Sequence, residues 1–439
     1  MKFGTDGVRG VANTDLTASF ALDLGRAAAR VLGGLEAVVG GDTRVSTAML
    51  EAAFVAGLAS EGVVVHRLGV VPTPAVAFGA ARRDAMGAVI SASHNPYRDN
   101  GIKLFARGGT KLPDDVERRI EAEVVALPPP KGEPAQLFDV EETPDYATHV
   151  LDSIEGRTLD GLRIVVDSAN GAAYRVAPRL LARAGADVVA IHIEPDGRNI
   201  NQQCGATHTA SLSAAVLEHG ADLGLALDGD ADRLMAVDHH GRLVDGDHIM
   251  AICALDLHQR QSLRDDTVVV TVMTNLGFRL AMERAGIKVV ETAVGDRYVL
   301  EALDSGGYTM GGEQSGHVIF RDRATTGDGL LTGVVLADAV KRSGGSLATL
   351  AAASMNRLPQ VLVNVPVRQR VPDAATELAA EIGQVEAELA GAGRVLLRSS
   401  GTEPLLRVMV EATDDDAAHA AAAHLAAIVH ARWGIAPAP

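Results

Sequence analysis

Three aspartates, Asp228, Asp230 and Asp232, occupy alternate positions in a glycine-containing turn that follows an apolar run. Carboxylates this close repel one another unless a cation neutralises them, and an all-oxygen ligand set suits Mg²⁺ or Ca²⁺. The turn does not fit an EF-hand loop, because Arg233 and His239 stand where that motif requires glycine and glutamate. We therefore predict a site for a hard divalent cation, with a solvated acidic turn as the alternative.

A serine at the end of another apolar run is placed to carry a reacting group. The run Ala88–Ile90 is predicted as a buried strand, and it leads into small residues and the turn-forming pair Asn95-Pro96. Open α/β sheets bind ligands at the carboxyl ends of their strands, so the hydroxyl of Ser93 lies where a ligand is expected. In the next strand Lys103 alternates with apolar neighbours and can return a cation close to this serine. An ordinary strand–turn–strand is the alternative.

Two further loops carry groups that suit a phosphorylated sugar. The segment 398–404 and the nearby Arg407 combine hydroxyls, a glycine and two arginines, an inventory that fits a phosphate. The segment 311–317 offers the acceptors and donors that sugar hydroxyls require, in Glu313, Ser315 and His317. A well-capped turn is the alternative for the first loop, and a structural turn is the alternative for the second.

Composition excludes several functional classes. The net charge of -16 argues against nucleic acid or an anionic membrane surface as partner, although local arginines can still bind a small phosphorylated substrate. Two cysteines, Cys204 and Cys253, cannot form a disulfide framework or a thiolate metal site unaided, which fits a reducing compartment. The chain shows neither a signal-peptide core nor 18 consecutive apolar residues, so we expect a cytoplasmic protein.

The elements that position these loops occur in the same order three times along the chain. Each round is a short strand, an alanine- or leucine-rich helix, a second strand and a third strand, and the rounds lie about 100 residues apart. Alternating strands and helices predict βαβ units with a mostly parallel sheet. The serine loop, the aspartate loop and the 311–317 loop each follow the third strand of a round, so they can face one shared cleft.

The chain from about Val361 does not follow this repeated order of elements and is predicted to form a smaller α+β domain. Strands are expected at 361–365, 394–397 and 406–411, with helices at 374–390 and 414–432. The chain is too long for one hydrophobic core. We place four domains at residues 1–153, 154–250, 251–358 and 359–439.

Taken together, the loops resemble those of the α-D-phosphohexomutase superfamily, over nearly the whole chain and with all four motifs in order. The segments 2–10 and 312–317 are most similar to those of the bacterial branch that acts on glucosamine phosphate. The resemblance implies three related α/β domains and a mobile C-terminal domain around a central cleft. Ser399 stands where the resemblance more often implies a lysine or another residue, which leaves one cation fewer at the distal phosphate.

The resemblance also implies roles for individual residues. Ser93 would carry a phosphoryl group, which would hold one Mg²⁺ per chain together with the three aspartates. Arg9, His94, Lys103 and Arg233 match positions around the phosphoserine, and Lys103 or Arg9 would assist proton transfer. Glu313 and Ser315 would bind sugar hydroxyls. The phosphate that is not transferred would be held by Arg398, Ser400, Gly401, Thr402 and Arg407.

The implied reaction interconverts glucosamine 6-phosphate and glucosamine 1-phosphate through a 1,6-bisphosphate, on the route to UDP-N-acetylglucosamine and cell-wall precursors. A hexosamine or hexose 1,6-bisphosphate would act as activator, and the protein would be a monomer or homodimer. Three alternatives use the same residues: a mutase for glucose or mannose phosphates, a metal-dependent sugar-phosphate phosphatase, and a non-catalytic sugar-phosphate sensor.

Overall fold

The structure, a computed structural model, describes residues 3–4, 7–130, 133–389, 392–399 and 404–435. The chain divides into two compact units, one of residues 1–273 and 285–354, the other of residues 274–284 and 355–439. No helix in the described part of the chain combines the length and the apolar character needed to cross a membrane.

The first unit contains two α/β repeats and most of a third, and each repeat begins with strand, helix, strand. The first repeat and the elements that flank it are β1 (Val8–Val11), α1 (Ala18–Leu32), β2 (Glu36–Gly41), α2 (Thr47–Ser60), β3 (Val64–Val70), α3 (Thr73–Arg83), β4 (Met86–Ile90), β5 (Asp99–Ala106), β6 (Thr110–Lys111), α4 (Asp114–Val125), β7 (Leu137–Asp139) and α5 (Thr143–Leu151). The second repeat comprises β8 (Arg163–Asp167), α6 (Val176–Arg183), β9 (Asp187–Ile191), α7 (Ala210–His219), β10 (Leu223–Leu227), β11 (Leu234–Asp238), β12 (Leu243–Val244) and α8 (Gly246–Gln259).

The third repeat contributes elements to both units. It consists of β13 (Thr267–Thr271), α9 (Leu276–Arg284), β14 (Lys288–Thr292), α10 (Asp296–Gly306), β15 (Met310–Gly312), β16 (Val318–Phe320), α11 (Gly329–Ser343) and α12 (Leu347–Ser354). Of these elements, α9 belongs to the second unit. The remaining elements are β17 (Gln360–Pro366), α13 (Ala374–Glu377), α14 (Ala379–Glu388), β18 (Gly393–Ser399), β19 (Leu405–Ala412) and α15 (Asp415–Trp433).

The three sheets of the first unit share one topology, which confirms the predicted repeat. In each sheet the second strand of the repeat pairs in parallel with the first, the first with the third, and the third pairs antiparallel with a fourth, giving the orders β3-β2-β4-β5, β9-β8-β10-β11 and β14-β13-β15-β16. The predicted fold class, mixed and mostly parallel α/β repeats followed by an α+β domain, is therefore confirmed.

The second unit is built on an antiparallel sheet of order β17-β19-β18. Aliphatic side chains of this sheet, including Val365, Val395 and Val408, pack in one core with Leu425 and Val429 of α15. Helix α9 is tied to this unit through Asn275, whose amide donates to Leu358 O at 3.0 Å and to Glu411 Oε1 at 3.1 Å. This arrangement agrees with the predicted α+β domain.

Side-chain caps fix where several helices begin. Thr17 accepts a hydrogen bond from Phe20 N at the start of α1, and Asp245 does the same for His248 N at the start of α8. Asp328 accepts from the backbone N–H groups of Leu330 and Leu331 at the start of α11. Such caps satisfy N–H groups that have no partner within the helix.

The strand order places the candidate loops together. The serine loop joins β4 to β5, the aspartate loop joins β10 to β11, and the 311–317 loop joins β15 to β16. Each loop therefore connects the last parallel strand of its repeat to the antiparallel strand. This agrees with the prediction that each loop follows the third strand of its repeat.

Candidate active site

Ser93 lies at the centre of the site in a strained and buried conformation. Its φ is 51°, in the left-handed region that costs a non-glycine residue roughly 1–2 kcal/mol, and its side chain is buried. The Oγ donates to Asp228 Oδ2 at 2.5 Å and lies 3.3 Å from His94 Nδ1. The nucleophile candidate and the first of the three aspartates are therefore in direct contact.

The three aspartates form one buried group, as predicted. One carboxylate oxygen of each residue lies within 4.8 Å of the corresponding oxygens of the other two. Burial, together with the charges of Asp232 and Asp230, raises the pKa of Asp228 well above its ordinary value. Burial acts in the same direction on Asp232, but Lys103, His317 and Arg233 outweigh it and hold the pKa of this carboxyl well below its ordinary value.

The donor set fits a hard divalent cation. Asp230 Oδ1 and Asp232 Oδ1 are buried and have no hydrogen-bond partner within the described residues. Unpaired buried carboxylate oxygens are costly in a protein interior, and a cation with oxygen ligands removes that cost. The remaining oxygens are occupied, since Thr73 Oγ1 donates to Asp230 Oδ2 at 2.7 Å and the backbone of Arg233 donates to Asp228 Oδ1 at 3.2 Å.

Lys103 reaches this carboxylate group, whereas the strand alternation predicts only that it lies close to Ser93. Its Nζ donates to Asp230 Oδ2 at 2.8 Å and to Asp232 Oδ2 at 3.1 Å, and the side chain is almost fully buried. The strand β5 that carries Lys103 pairs with both β4 and β1, so the same sheet places Arg9 one strand away. The lysine, the serine and the aspartates therefore occupy one contiguous site.

The aspartate loop approaches the serine loop closely because one of its residues is glycine. A Cβ on Gly229 would lie 2.5 Å from Ser93 O, closer than side-chain carbons approach backbone oxygen. The next turn residue, Ala231, has a φ of 60°. This conformation favours glycine, and an alanine there carries some backbone strain.

A cavity of about 420 Å³ opens beside these groups and joins all three predicted loops. Its lining residues come from the N-terminal segment, the serine loop, the aspartate loop and the third repeat: Gly4, Gly7, Arg9, His94, Asp232, Arg233, Val294, Gly295, Asp296, Glu313 and His317. Burial, and then the charges of Arg233 and Arg9, lower the pKa of His94 to about 4, so its imidazole is neutral at pH 7. The volume lies within the range for small-molecule sites.

The 311–317 loop presents its polar groups to different partners. Glu313 Oε1 accepts from Gly295 N at 3.0 Å, and Ser315 Oγ is buried with no hydrogen-bond partner in the described part of the chain. His317 lies between two carboxylates, with Nδ1 3.7 Å from Asp232 Oδ2 and Nε2 3.9 Å from Asp296 Oδ2. Burial lowers the pKa of His317, but Asp232, Asp296 and Glu313 outweigh it and raise the pKa to about 9. Ser315 thus retains a donor and an acceptor for a ligand.

The second unit brings two predicted residues together. Arg398 and Arg407 lie directly opposite each other on the paired strands β18 and β19. Burial and the charge of Arg407 lower the pKa of Arg398, and Arg407 Nε is buried without a hydrogen-bond partner among the described residues. Like charges in register destabilise a sheet, so the pair favours a bound anion. The predicted residues Ser400, Gly401 and Thr402 lie outside the described part of the chain.

Comparison with known proteins identifies the family. Four models of phosphoglucomutase/phosphomannomutase domains match the chain: α/β/α domain I at residues 1–128, α/β/α domain II at 144–241, α/β/α domain III at 245–358 and the C-terminal domain at 362–428. The chain belongs to the phosphoglucomutase/phosphomannomutase family. The boundaries predicted from the sequence remain predictions.

Individual relatives are similar over nearly their full length. Proteins named phosphoglucosamine mutase from Thermobifida fusca and Streptomyces avermitilis are 57% and 56% identical to this chain; the first alignment covers 97% of each protein, the second 98% of this chain and 99% of the relative. A crystal structure of a family member from Burkholderia thailandensis has a TM-score of 0.83 and 25% identity, covering 97% of each chain.

Two supporting residues of the site were not predicted. Arg44, which follows β2, donates through Nη2 to Ser93 O at 2.9 Å and to Asn95 O at 2.8 Å, and its Nη1 donates to Asp99 O at 3.0 Å and to Pro96 O. Asn201 Nδ2 donates to Ser93 O at 2.9 Å. These contacts fix the strained serine loop through its backbone carbonyl groups.

The buried ion pair behind this contact orients the guanidinium. Arg44 Nε donates to Asp42 Oδ2 at 2.8 Å, and both side chains are fully buried. Asp42 also accepts from Ser91 Oγ at 2.6 Å and from Thr47 Oγ1 at 2.8 Å, so every part of the pair is hydrogen-bonded. The segment Gly40-Gly-Asp-Thr-Arg44 contains both the arginine and the aspartate that orients it, and this pair is the sequence signal. The carbonyl groups that Arg44 contacts, however, lie about 50 residues away along the chain.

We expect Arg44→Lys to lower kcat about 10- to 100-fold with little change in KM. An ammonium group cannot donate to four backbone carbonyls in the planar pattern of a guanidinium, so the serine loop loses its fixed geometry while the substrate-binding residues remain. Steady-state kinetics with the natural substrate measure both constants.

Arg67→Lys is the matched control, since Arg67 is half-exposed and pairs with Glu51 and Asp139 away from Ser93. It should leave both constants unchanged. A raised KM with unchanged kcat in Arg44→Lys would contradict a positioning role.

Proposed function

We propose that the enzyme interconverts glucosamine 6-phosphate and glucosamine 1-phosphate, through a phosphorylated Ser93 and a 1,6-bisphosphate intermediate. The observation that carries the proposal is the contact of Ser93 Oγ with the buried aspartate group that Lys103 also joins. Relatives named phosphoglucosamine mutase are 54% to 57% identical to the chain. The reaction is an isomerisation and belongs to the route to UDP-N-acetylglucosamine and cell-wall precursors.

Phosphoryl transfer in this site requires positioning and charge neutralisation more than covalent machinery. In the first step the bond between phosphorus and Ser93 Oγ breaks, while a bond forms to the free hydroxyl oxygen of the substrate. The hydroxyl proton is transferred, with help from Lys103 Nζ or alternatively from Arg9, to the Ser93 Oγ that the phosphoryl group has left. It moves to the departing sugar oxygen when the bisphosphate gives its other phosphoryl group back to Ser93. Neither water nor a redox partner is consumed.

The aspartates supply the cation site that this chemistry requires. Asp228, Asp230 and Asp232, with the phosphate on Ser93, would hold one Mg²⁺ per chain. When bound, the ion neutralises charge that develops on the transferred phosphoryl group. Arg9, His94 and Arg233 surround the same position from the cavity wall.

The other predicted residues serve recognition. Glu313 and Ser315 bind sugar hydroxyls, for which the unpaired Ser315 Oγ offers one group. Arg398 and Arg407, with Ser400, Gly401 and Thr402, bind a phosphate. A hexosamine or hexose 1,6-bisphosphate activates the enzyme by phosphorylating Ser93. As part of the same proposal, the enzyme acts in the cytoplasm as a monomer or homodimer.

The test compares glucosamine 6-phosphate, glucose 6-phosphate and mannose 6-phosphate with Mg²⁺ and a trace of hexose 1,6-bisphosphate. We expect kcat/KM to favour the amino sugar by at least about tenfold, a difference that a few polar contacts can provide. Chelation should remove activity, and Mg²⁺ should restore it. Preference for glucose or mannose would overturn the substrate assignment, and release of inorganic phosphate without isomerisation would identify a phosphatase.

A further inference from the structure

A cluster of three different metal-ligand types lies in the second repeat, outside the aspartate group. Asp167 ends β8, His192 directly follows β9, and Cys204 lies in the loop before α7. One ligand atom from each residue lies within 4.8 Å of the other two. Asp167 and Cys204 are buried, whereas the imidazole of His192 is 29% exposed, which leaves an opening to solvent.

We propose that Asp167, His192 and Cys204 form a second cation site, suited to a thiophilic divalent ion such as Zn²⁺. Carboxylate, imidazole and thiolate are the ligand types of zinc sites, and three protein ligands leave a fourth position open. The all-oxygen aspartate group suits Mg²⁺ instead. The two sites therefore differ in the ions that they select.

The distances allow a common ion with small adjustments. A cation centred between three atoms that are at most 4.8 Å apart lies within about 2.8 Å of each, so shifts of at most about 0.5–0.8 Å reach zinc–ligand distances. His192 Nδ1 lies 3.1 Å from Asp167 Oδ2, a contact that a protonated imidazole makes with the carboxylate when no cation is bound. When the imidazole is neutral with its proton on Nε2, Nδ1 and the carboxylate oxygen are both available as ligands of one ion.

The carboxylate is already oriented for ligation. Asp167 Oδ1 accepts from Ala169 N and Oδ2 accepts from Gly205 N, both at 2.8 Å. Hydrogen bonds behind a ligand fix its direction and strengthen binding. His192 has a φ of 50° and Ala169 a φ of 53°, so the chain holds two strained residues where the cluster forms.

The thiol of Cys204 is not set up for redox chemistry. Burial and the charge of Asp167 raise its pKa to about 12, so it stays protonated and unreactive at neutral pH. Ion binding exchanges this proton for the metal: the S–H bond breaks, a sulfur–metal bond forms, and the proton leaves to solvent.

Occupancy of this site would also stiffen the support of Ser93, a consequence that rests on the proposed function. The loop that carries Cys204 carries Asn201, whose amide donates to Ser93 O and to Asn95 O. Asn201 N donates to Ala169 O at 2.9 Å, next to the proposed ligand Asp167. The cation would thus bind behind the nucleophile without touching the substrate.

The test uses Co²⁺ as an optical probe on the full chain, with excess Mg²⁺ to occupy the aspartate group. We expect one equivalent of Co²⁺ to produce a cobalt–thiolate charge-transfer absorption, which oxygen ligands cannot give. Cys204→Ser should abolish this absorption. Cys253→Ser should retain it, since the other cysteine is buried in α8 with no such cluster in the described residues.

Equilibrium dialysis with Zn²⁺ provides the second measurement. His192→Gln, a change at a partly exposed side chain, should weaken the site at least about tenfold. His219→Gln, at the exposed end of α7, should have no effect. No thiolate absorption at saturating Co²⁺, its persistence in Cys204→Ser, or equal Zn²⁺ affinity in His192→Gln would each overturn the proposal, whatever the substrate of the enzyme proves to be.

Discussion

Ser93→Ala is expected to reduce mutase turnover by at least about 1,000-fold, because the variant has no oxygen to which a phosphoryl group can be attached. The loss should fall on kcat rather than on substrate binding, since the cavity walls do not include the Ser93 hydroxyl. Isomerisation of glucosamine 6-phosphate measures the rate. Mass spectrometry of the protein after incubation with hexose 1,6-bisphosphate should show one phosphoryl group on the wild-type chain and none on the variant.

Ser91→Ala is the matched control, because it removes a hydroxyl of the same loop that is not the proposed nucleophile. Ser91 Oγ donates to Asp42 and accepts from Ser93 N, so the loop loses support but keeps its reacting oxygen. We expect a loss of about tenfold and normal phosphorylation. Full turnover in Ser93→Ala, or a phosphoryl group still attached to that variant, would exclude Ser93 as the acceptor.

The parts of the site that lie on single loops could be predicted from the sequence. Asp228, Asp230 and Asp232 follow a five-residue apolar strand, and their spacing alone indicates a cation. The alternation around Lys103 correctly placed its side chain on the face opposite Ile102 and Leu104. These features depend on residues that are close in sequence, so local periodicity is enough to predict them.

The support of the serine loop could not be predicted in the same way. Arg44 and Asn201 contact Ser93 across 49 and 108 residues, and nothing local in either segment indicates these partners. The pairing of β1 with β5, which places Arg9 beside the site, is equally non-local. In the sequence Arg9 is a lone arginine among glycines and is informative only through the family resemblance.

Two element boundaries differ from the predictions for reasons that the backbone shows. The sequence alone predicts the third strand of the third repeat at 307–310, but this strand occupies Met310–Gly312, because Gly307, with a φ of 65°, caps the end of α10. The helix expected at 374–390 is divided at Leu378, which leaves helical geometry and is fully buried. Neither change moves a predicted site residue.

The contact of Lys103 with the aspartates has a consequence for how the site operates. Its ammonium group supplies positive charge to Asp230 and Asp232, the carboxylates that would also hold Mg²⁺. A proton on Nζ and a divalent cation therefore compete for the same two carboxylates. Under the proposed mechanism, a cation bound to these carboxylates would repel the ammonium group of Lys103, which favours release of its proton and would allow Nζ to assist transfer of the proton of a sugar hydroxyl.

Lys103→Met should change the two properties of the site in opposite directions. Turnover should fall about 100- to 10,000-fold, the usual range for loss of a group that transfers a proton. The dissociation constant for Mg²⁺ should decrease by about tenfold, because a buried positive charge less than 3.5 Å from two metal ligands is removed. Steady-state kinetics and calorimetric titration of Mg²⁺ measure the two effects on the same protein.

Lys111→Met separates this competition from a general effect of lost charge. Lys111 is also largely buried but pairs with Asp296, which is not one of the three proposed metal ligands. Its removal should leave the Mg²⁺ dissociation constant within about twofold of the wild-type value. Weaker or unchanged Mg²⁺ binding in Lys103→Met would show that the lysine stabilises the carboxylates rather than competing for them, and its assignment as the proton acceptor would then lose its physical basis.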